Sequence, residues 1–229
     1  MILKKLKIGG VIIPNDYQDV YDWFGLEATS PKKVAAFLAD ANGEDVTLEI
    51  NSGGGFVTSG SEIYTLLKSY NGRTVAEIMG MAASAASIIA IGCSIVTMSP
   101  TAMFMIHNVA TVAEGDYRAL EKEANVCKSF NQSLANAYRL KTGKSEAELL
   151  SLMDQETWLT AQKAKELGFV DEIMFDKENL LVASIGNILP IEAINKVKNI
   201  LAEQKNEKEN KEKAQTLAVE AERIALLSL

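Results

Sequence analysis

The chain has 229 residues, 48% of them hydrophobic, and a formal net charge of −7, enough for one sizeable domain with its own core plus an appendage. No cluster of Lys and Arg occurs in residues 1–175, which excludes a phosphate-backbone binder, because neutralising nucleic acid needs grouped cations. Cys93 and Cys127 lie in apolar or helical contexts without disulfide-framework or metal-ligand spacing, so they read as reduced, buried thiols of a cytoplasmic protein, and no metal or cofactor is expected.

The opening MILKKLKIGGVIIP is basic, but its apolar run is short and no small-residue cleavage site follows, which argues against a signal peptide. Thr29-Ser30-Pro31 caps a helix within Gly25 to Leu38. Val46 to Asn51 alternates as a strand; Gly53-Gly54-Gly55 then reads as a turn before a helix over Ser61 to Ser69, with Ile63, Leu66 and Leu67 at helical spacing. Thr74 to Met79 is a strand, Ala82 to Ile91 a helix of small and apolar residues, and Ile95 to Met98 and Met103 to Ile106 are short β-prone runs. From Ile78 to Ile106 there is no charge, a length that could cross a bilayer. Gly80, Gly92, Pro100 and scattered hydroxyl residues break it, so it reads as buried core, with no membrane association expected.

Asp116 to Leu140 carries Tyr117, Leu120, Ala124, Cys127, Phe130, Leu134 and Tyr138 at spacings of three and four, one long amphipathic helix whose stripe needs a partner surface. A helix follows at Ser145 to Leu152, another runs from the N-cap Thr160 through Ala161 to Leu167 and stops at Gly168, and Phe169 to Met174 reads as a closing strand. The pattern is an α/β domain over residues 1–175, with parallel sheets, crossover helices and a protruding long helix. Residues 176–229 differ: a charged run at 203–213 precedes apolar Leu217, Ala221, Ile224 and Leu227. A charged helical arm ending in an interaction helix and a frayed tail both fit this composition.

Acyl-transfer chemistry needs a nucleophile, a base and oxyanion donors. The chain has one histidine, so a Ser-His mechanism would have to use His107 at the end of the Met103–Ile106 strand; a histidine that merely caps a strand is the alternative. Ser84, in Gly80-Met81-Ala82-Ala83-Ser84-Ala85-Ala86-Ser87, sits where a helix opens and free N–H groups favour negative charge. The same small residues could serve helix packing alone. The segment lacks the G-x-S-x-G elbow of α/β-hydrolases. Asn51-Ser52-Gly53-Gly54-Gly55 is neither a Walker loop nor a dinucleotide fingerprint; it could turn backbone amides into a site or be a turn only.

Taken in order, these segments resemble the ClpP family of serine peptidases. Ile50-Asn51-Ser52-Gly53-Gly54-Gly55 with Thr58, Gly60 and Ile63-Tyr64 is similar to its I-N-S-P-G-G stretch, with Gly53 in place of proline. Gly80-Met81-Ala82-Ala83-Ser84 resembles its G-x-A-A-S nucleophile segment and Met105-Ile106-His107-Asn108 its M-I-H segment. Trp158-Leu159-Thr160-Ala161 with Ala164 and Leu167-Gly168-Phe169-Val170-Asp171 resembles its last block. The resemblance spans residues 45 to 175. It implies a ClpP/crotonase-like fold, Ser84 as nucleophile, His107 as general base, an oxyanion hole from the amides of Gly54 and Ala85, Gly55 and Phe56 along the substrate groove, and rings enclosing a chamber that admits protein or peptide substrates.

The family's aspartate falls at Glu156, four residues before Thr160. A glutamate's extra methylene demands a different backbone position or rotamer, so Asp154 is the alternative third member. Residues 1–45 do not match the unfoldase-docking members; Gly25 to Leu38 and the C-terminal arm instead resemble the phage and prophage head-maturation branch. That implies an ATP-independent or partner-dependent endopeptidase acting on scaffold or capsid proteins in a host cytoplasm or assembling procapsid. Two rival readings remain: a catalytically inactive assembly or scaffold protein of the same fold, and a crotonase-type acyl-CoA enzyme, which would need a carboxylate pair rather than Ser-His.

Overall fold

The computed structural model describes residues 4–176; the expected C-terminal arm lies, from residue 177 onward, outside the described residues. The chain runs β1 (Lys4–Ile12), α1 (Gln18–Trp23) after a 3-10 turn, β2 (Ala28–Thr29), α2 (Pro31–Ala41), β3 (Val46–Gly55), α3 (Val57–Lys68), β4 (Thr74–Ala83), α4 (Ala85–Gly92), β5 (Ile95–Met98) and β6 (Met103–Ile106). Then come α5 (Tyr117–Thr142), α6 (Glu146–Asp154), β7 (Thr157–Thr160), α7 (Ala161–Glu166) and β8 (Glu172–Ile173).

The strands form an eight-stranded sheet ordered β2-β1-β3-β4-β5-β8, all parallel along this path. Parallel neighbours need crossovers, and the alternating helices supply them. On the edge away from β3, β4 serves two neighbours: Val75 to Ile78 pair with β5, whereas Met81 to Ala83 pair with β6. β7 runs antiparallel to β6 with Ile106 opposite Thr157. Side chains such as Ile8, Leu48, Ile50, Ile78, Ile89 and Phe104 are fully buried, each worth roughly 1.5–3 kcal/mol relative to exposure. Phe169 closes one end, its ring 5.3 Å from Phe104 and edge-on to Tyr138 at 5.6 Å.

Two boundaries differ from the sequence-based expectation for the same reason. Gly53-Gly54-Gly55 is not a turn: β3 continues through it, because Gly54 and Gly55 pair with Val11 and Ile12 of β1. Likewise Ala82 and Ala83 are strand, not helix, paired to Phe104 and Met105. Alanine's helix preference is overridden by pairing with a distant segment. The closing strand shortens to Glu172–Ile173, since Phe169 and Val170 turn inward and Asp171 ties back to β5, its N–H donating to the Val96 carbonyl at 2.9 Å.

The uncharged Ile78 to Ile106 run folds into β4, α4, β5 and β6, and no helix among the described residues is long and apolar enough to cross a membrane. α5 has 26 residues, about 39 Å at 1.5 Å per residue. Asp116 caps it by accepting from the Arg118 and Ala119 N–H groups. Only Leu134, Ala135 and Tyr138 of this helix are buried, while Tyr117, Leu120 and Val126 are exposed. Its C-terminal half packs on the core and its N-terminal half presents an apolar stripe. Cys93 is buried, as expected, and desolvation pushes its thiol up to about 12. Cys127 departs from expectation: it is half-buried, on a cleft wall, because α5 leaves the core near that turn.

Candidate active site

Ser84 is the single residue between β4 and α4, with φ 54° and ψ −124°. A side chain held at positive φ costs about 1–3 kcal/mol and persists only where its surroundings enforce it. Here the Ser84 N–H donates to the Met105 carbonyl at 3.0 Å, continuing the β4–β6 pairing one residue past the strand. β6 ends at Ile106, so His107 emerges beside that junction, and its Nε2 lies 2.7 Å from Ser84 Oγ. With the Ser84 hydroxyl donating, Nε2 accepts and the proton of the neutral ring sits on Nδ1. Two contacts tie down the segment that carries His107. Asn108 Nδ2 donates to Asp154 Oδ1 at 2.7 Å, and the Val109 N–H donates to Asn131 Oδ1 on α5 at 2.8 Å.

Gly54 abuts this junction. A Cβ on it would sit 2.7 Å from Ala83 O, 2.7 Å from Ser84 Cβ and 2.9 Å from the Ala85 nitrogen, and its φ is +97°, so both sterics and backbone require glycine. The Gly54 N–H bonds Ser52 Oγ at 3.1 Å and would have to exchange that partner for a substrate oxyanion. Ala85 is the first residue of α4, where an N–H has no intrahelical acceptor. Gly55 approaches Ile12 so closely that a Cβ would meet its carbonyl oxygen.

A cavity of about 610 Å³ opens over Ser84 and His107; Gly55, Phe56, Ala85 and Asn108 line it, and Phe130, Leu134 and Tyr138 of α5 add apolar surface. Of the residues expected at the site, the structure thus gathers Ser84, His107, Ala85, Gly55 and Phe56 around one cleft, with Gly54 against Ser84.

The two candidate acids are placed differently. Extending the β6–β7 register by one pair puts Glu156 opposite His107, but Glu156 has φ 46° and its Oε1 accepts from Trp158 Nε1 at 3.3 Å. Asp154 engages Asn108 rather than His107. Among the described residues, His107 has no hydrogen bond to a carboxylate. In the sequence, Ser87 is only one of the small residues around Ser84, Asn131 carries no functional signal, and Tyr138 reads as part of a packing stripe. A tyrosine on a buried stripe needs a partner for its hydroxyl, and that requirement points to the Ser87 Oγ, 2.7 Å away.

The family model described as Clp protease matches residues 28–177. The chain belongs to the Clp protease family. Among curated relatives it is 31% identical over 162 residues to the ATP-dependent Clp protease proteolytic subunit 1 of Protochlamydia amoebophila, covering 69% of this chain and 73% of that one. It is also 31% identical over 137 residues to the ATP-dependent Clp protease proteolytic subunit of Bacteroides fragilis, covering 59% of this chain and 66% of that one, just under two thirds of that relative. Among solved structures, a mutant of ClpP1 from Listeria monocytogenes superposes with a TM-score of 0.62 over 76% of this chain and 93% of that chain, at 23% identity. That likeness concerns the α/β fold. By family the chain is a ClpP-type serine peptidase.

Proposed function

We propose that the chain hydrolyses peptide bonds with Ser84 as nucleophile and His107 as general base, the amides of Gly54 and Ala85 stabilising the oxyanion, and Gly55 and Phe56 lining the substrate groove. The observation that carries this reading is the 2.7 Å contact between Ser84 Oγ and His107 Nε2 in an open cleft. Oγ attacks the scissile carbonyl carbon while its proton passes to Nε2. The tetrahedral intermediate collapses as that proton goes to the leaving amine, and water, deprotonated by the same imidazole, releases the acyl group from Ser84. No metal or cofactor takes part in this scheme. Glu156 is the proposed orienting acid, supported by its register position opposite His107, with Asp154 the alternative. Either would have to turn toward Nδ1, and the present partners of both favour the inactive-scaffold reading as the rival.

We further propose a homo-oligomeric ring, supported by the N-terminal part of the α5 stripe, where Tyr117, Leu120 and Ala124 are exposed among the described residues. The proposed setting is a host cytoplasm or assembling phage procapsid, where the enzyme cleaves scaffold or capsid proteins, with residues 1–175 as the peptidase domain and residues 176–229 as a segment beyond it in sequence. Supporting this role are the resemblance of Gly25 to Leu38 to that branch and the end of the family match at residue 177. The test is hydrolysis of fluorogenic peptides and of an unfolded protein by the full chain, with and without ATP, beside Ser84→Ala. Turnover abolished by the substitution supports the peptidase, and an assembled but inert native chain supports the scaffold.

A further inference from the structure

Ser84 carries a backbone conformation that must be held from outside, and the holding contacts are side chains with no place in the mechanism above. The Ser84 carbonyl accepts the Ser87 hydroxyl at 2.6 Å and the Ser87 N–H at 3.0 Å. A hydroxyl has one proton. With that proton on the Ser84 carbonyl, Ser87 Oγ accepts from the Tyr138 hydroxyl at 2.7 Å. Ser87 and Tyr138 are buried, at 0% and 1% exposure. Burial holds the Tyr138 phenol well above its ordinary range, which keeps it a donor.

The consequence follows from the planarity of the peptide bond. The Ser84 carbonyl and the Ala85 N–H belong to one rigid trans unit and point in opposite directions. Whatever fixes the carbonyl oxygen on the α4 side aims the Ala85 N–H the other way, toward the cleft that Ala85 and Ser84 line. We infer that Ser87 and Tyr138 are positioning residues, a buried relay that locks the Ser84–Ala85 peptide plane and so aims the Ala85 amide at the developing oxyanion. The inference rests on Ser84 being the nucleophile. The two hydroxyl bonds form one chain from the Tyr138 hydroxyl through the Ser87 hydroxyl to the Ser84 carbonyl, and each bond polarises the next. Because Tyr138 belongs to α5 and Ser87 to α4, the relay also pins the long helix to the nucleophile junction.

The test uses the full chain as Tyr138→Phe, Ser87→Ala and the double variant. The readouts are kcat and KM on a fluorogenic peptide, and inhibition by the matching peptide aldehyde. Ser84 Oγ adds to that aldehyde's carbonyl carbon, leaving an oxygen where the oxyanion forms. Loss of aim should lower kcat and weaken aldehyde inhibition about tenfold each, with KM changed less than about twofold, because the amide acts on the transition state. The double variant should be no worse than Ser87→Ala alone, since Tyr138 acts through Ser87.

Wild-type kcat and aldehyde inhibition in folded variants would overturn the inference, as would a rise in KM alone or multiplying losses in the double variant. Should Tyr138→Phe fail to fold, Ser87→Ala carries the same expectation. A wild-type chain that no serine-directed fluorophosphonate labels would remove the nucleophile and the inference together. A labelled wild type with unaffected variants removes the inference alone.

Discussion

Replacing Gly54 by alanine should damage stability and chemistry together, and the structure says by how much. The added methyl would lie 2.7 Å from both Ala83 O and Ser84 Cβ, and 2.9 Å from the Ala85 nitrogen. These are backbone atoms or rigidly attached ones, so β3 and the Ser84 junction would have to separate. Overpacking of this kind costs about 1–3 kcal/mol, and placing a Cβ at φ +97° adds about 1–2 kcal/mol. The sum is a destabilisation of about 2–5 kcal/mol. Any relief by strand displacement moves the Gly54 and Ala85 amides apart, and loss of one oxyanion donor lowers kcat by about 10²–10³-fold.

Gly53→Ala is the matched control: its Cβ would meet only Met81 Cε, at an ordinary 3.7 Å, so stability should change by less than about 1 kcal/mol. Urea unfolding and peptide turnover on both variants make the comparison. Wild-type stability and turnover in Gly54→Ala would refute the packing argument and the oxyanion assignment built on it.

Glu156→Gln should lower kcat by at least about tenfold if Glu156 orients the imidazole, while Asp154→Asn should stay within about threefold; the reverse order of losses in steady-state kinetics would transfer the role to Asp154. Leu120→Asp, on the exposed half of α5, should shift the assembly to smaller species in light scattering while the far-UV circular dichroism of the folded chain stays as in wild type. Glu148 gives a pH test: the Ser145 hydroxyl and backbone N–H of the α6 capping box, with Lys144 nearby, hold its carboxyl below the usual range. A depressed carboxylate contributes stability above its unfolded pKa of about 4.3 and loses it as pH falls through the folded value. The melting-temperature gap between wild type and Glu148→Gln should therefore be present at pH 7 and shrink progressively as the pH falls below about 4.

The sequence revealed elements whose signals are local. The α5 periodicity, the Thr160 cap, whose side chain accepts from the Lys163 N–H, and the Ile95–Met98 strand all appear where expected. It failed where a distant partner decides. Lys4–Ile12 went unassigned because its strand character depends on lying beside β3. The glycines read as a turn and Ala82-Ala83 as helix because their pairing with β1 and β6 leaves no local trace.

At the site, Ser84 and His107 could be singled out, the histidine by being the chain's only one. Their 2.7 Å contact depends on β4 and β6 being neighbours, though 23 residues separate the two side chains along the chain. The positive φ of Ser84 and Glu156 is likewise a product of tertiary packing. So is the Ser87–Tyr138 bond, made between α4 and α5 across 51 residues of chain.

The most direct test of the central claim is intact-mass spectrometry of the full chain after treatment with a serine-directed fluorophosphonate, beside Ser84→Ala and His107→Ala. One adduct per native chain, absent from both variants, is the result expected of a serine activated by a single histidine. A folded, assembled native chain that takes up no adduct, or a Ser84→Ala variant that still does, would contradict it.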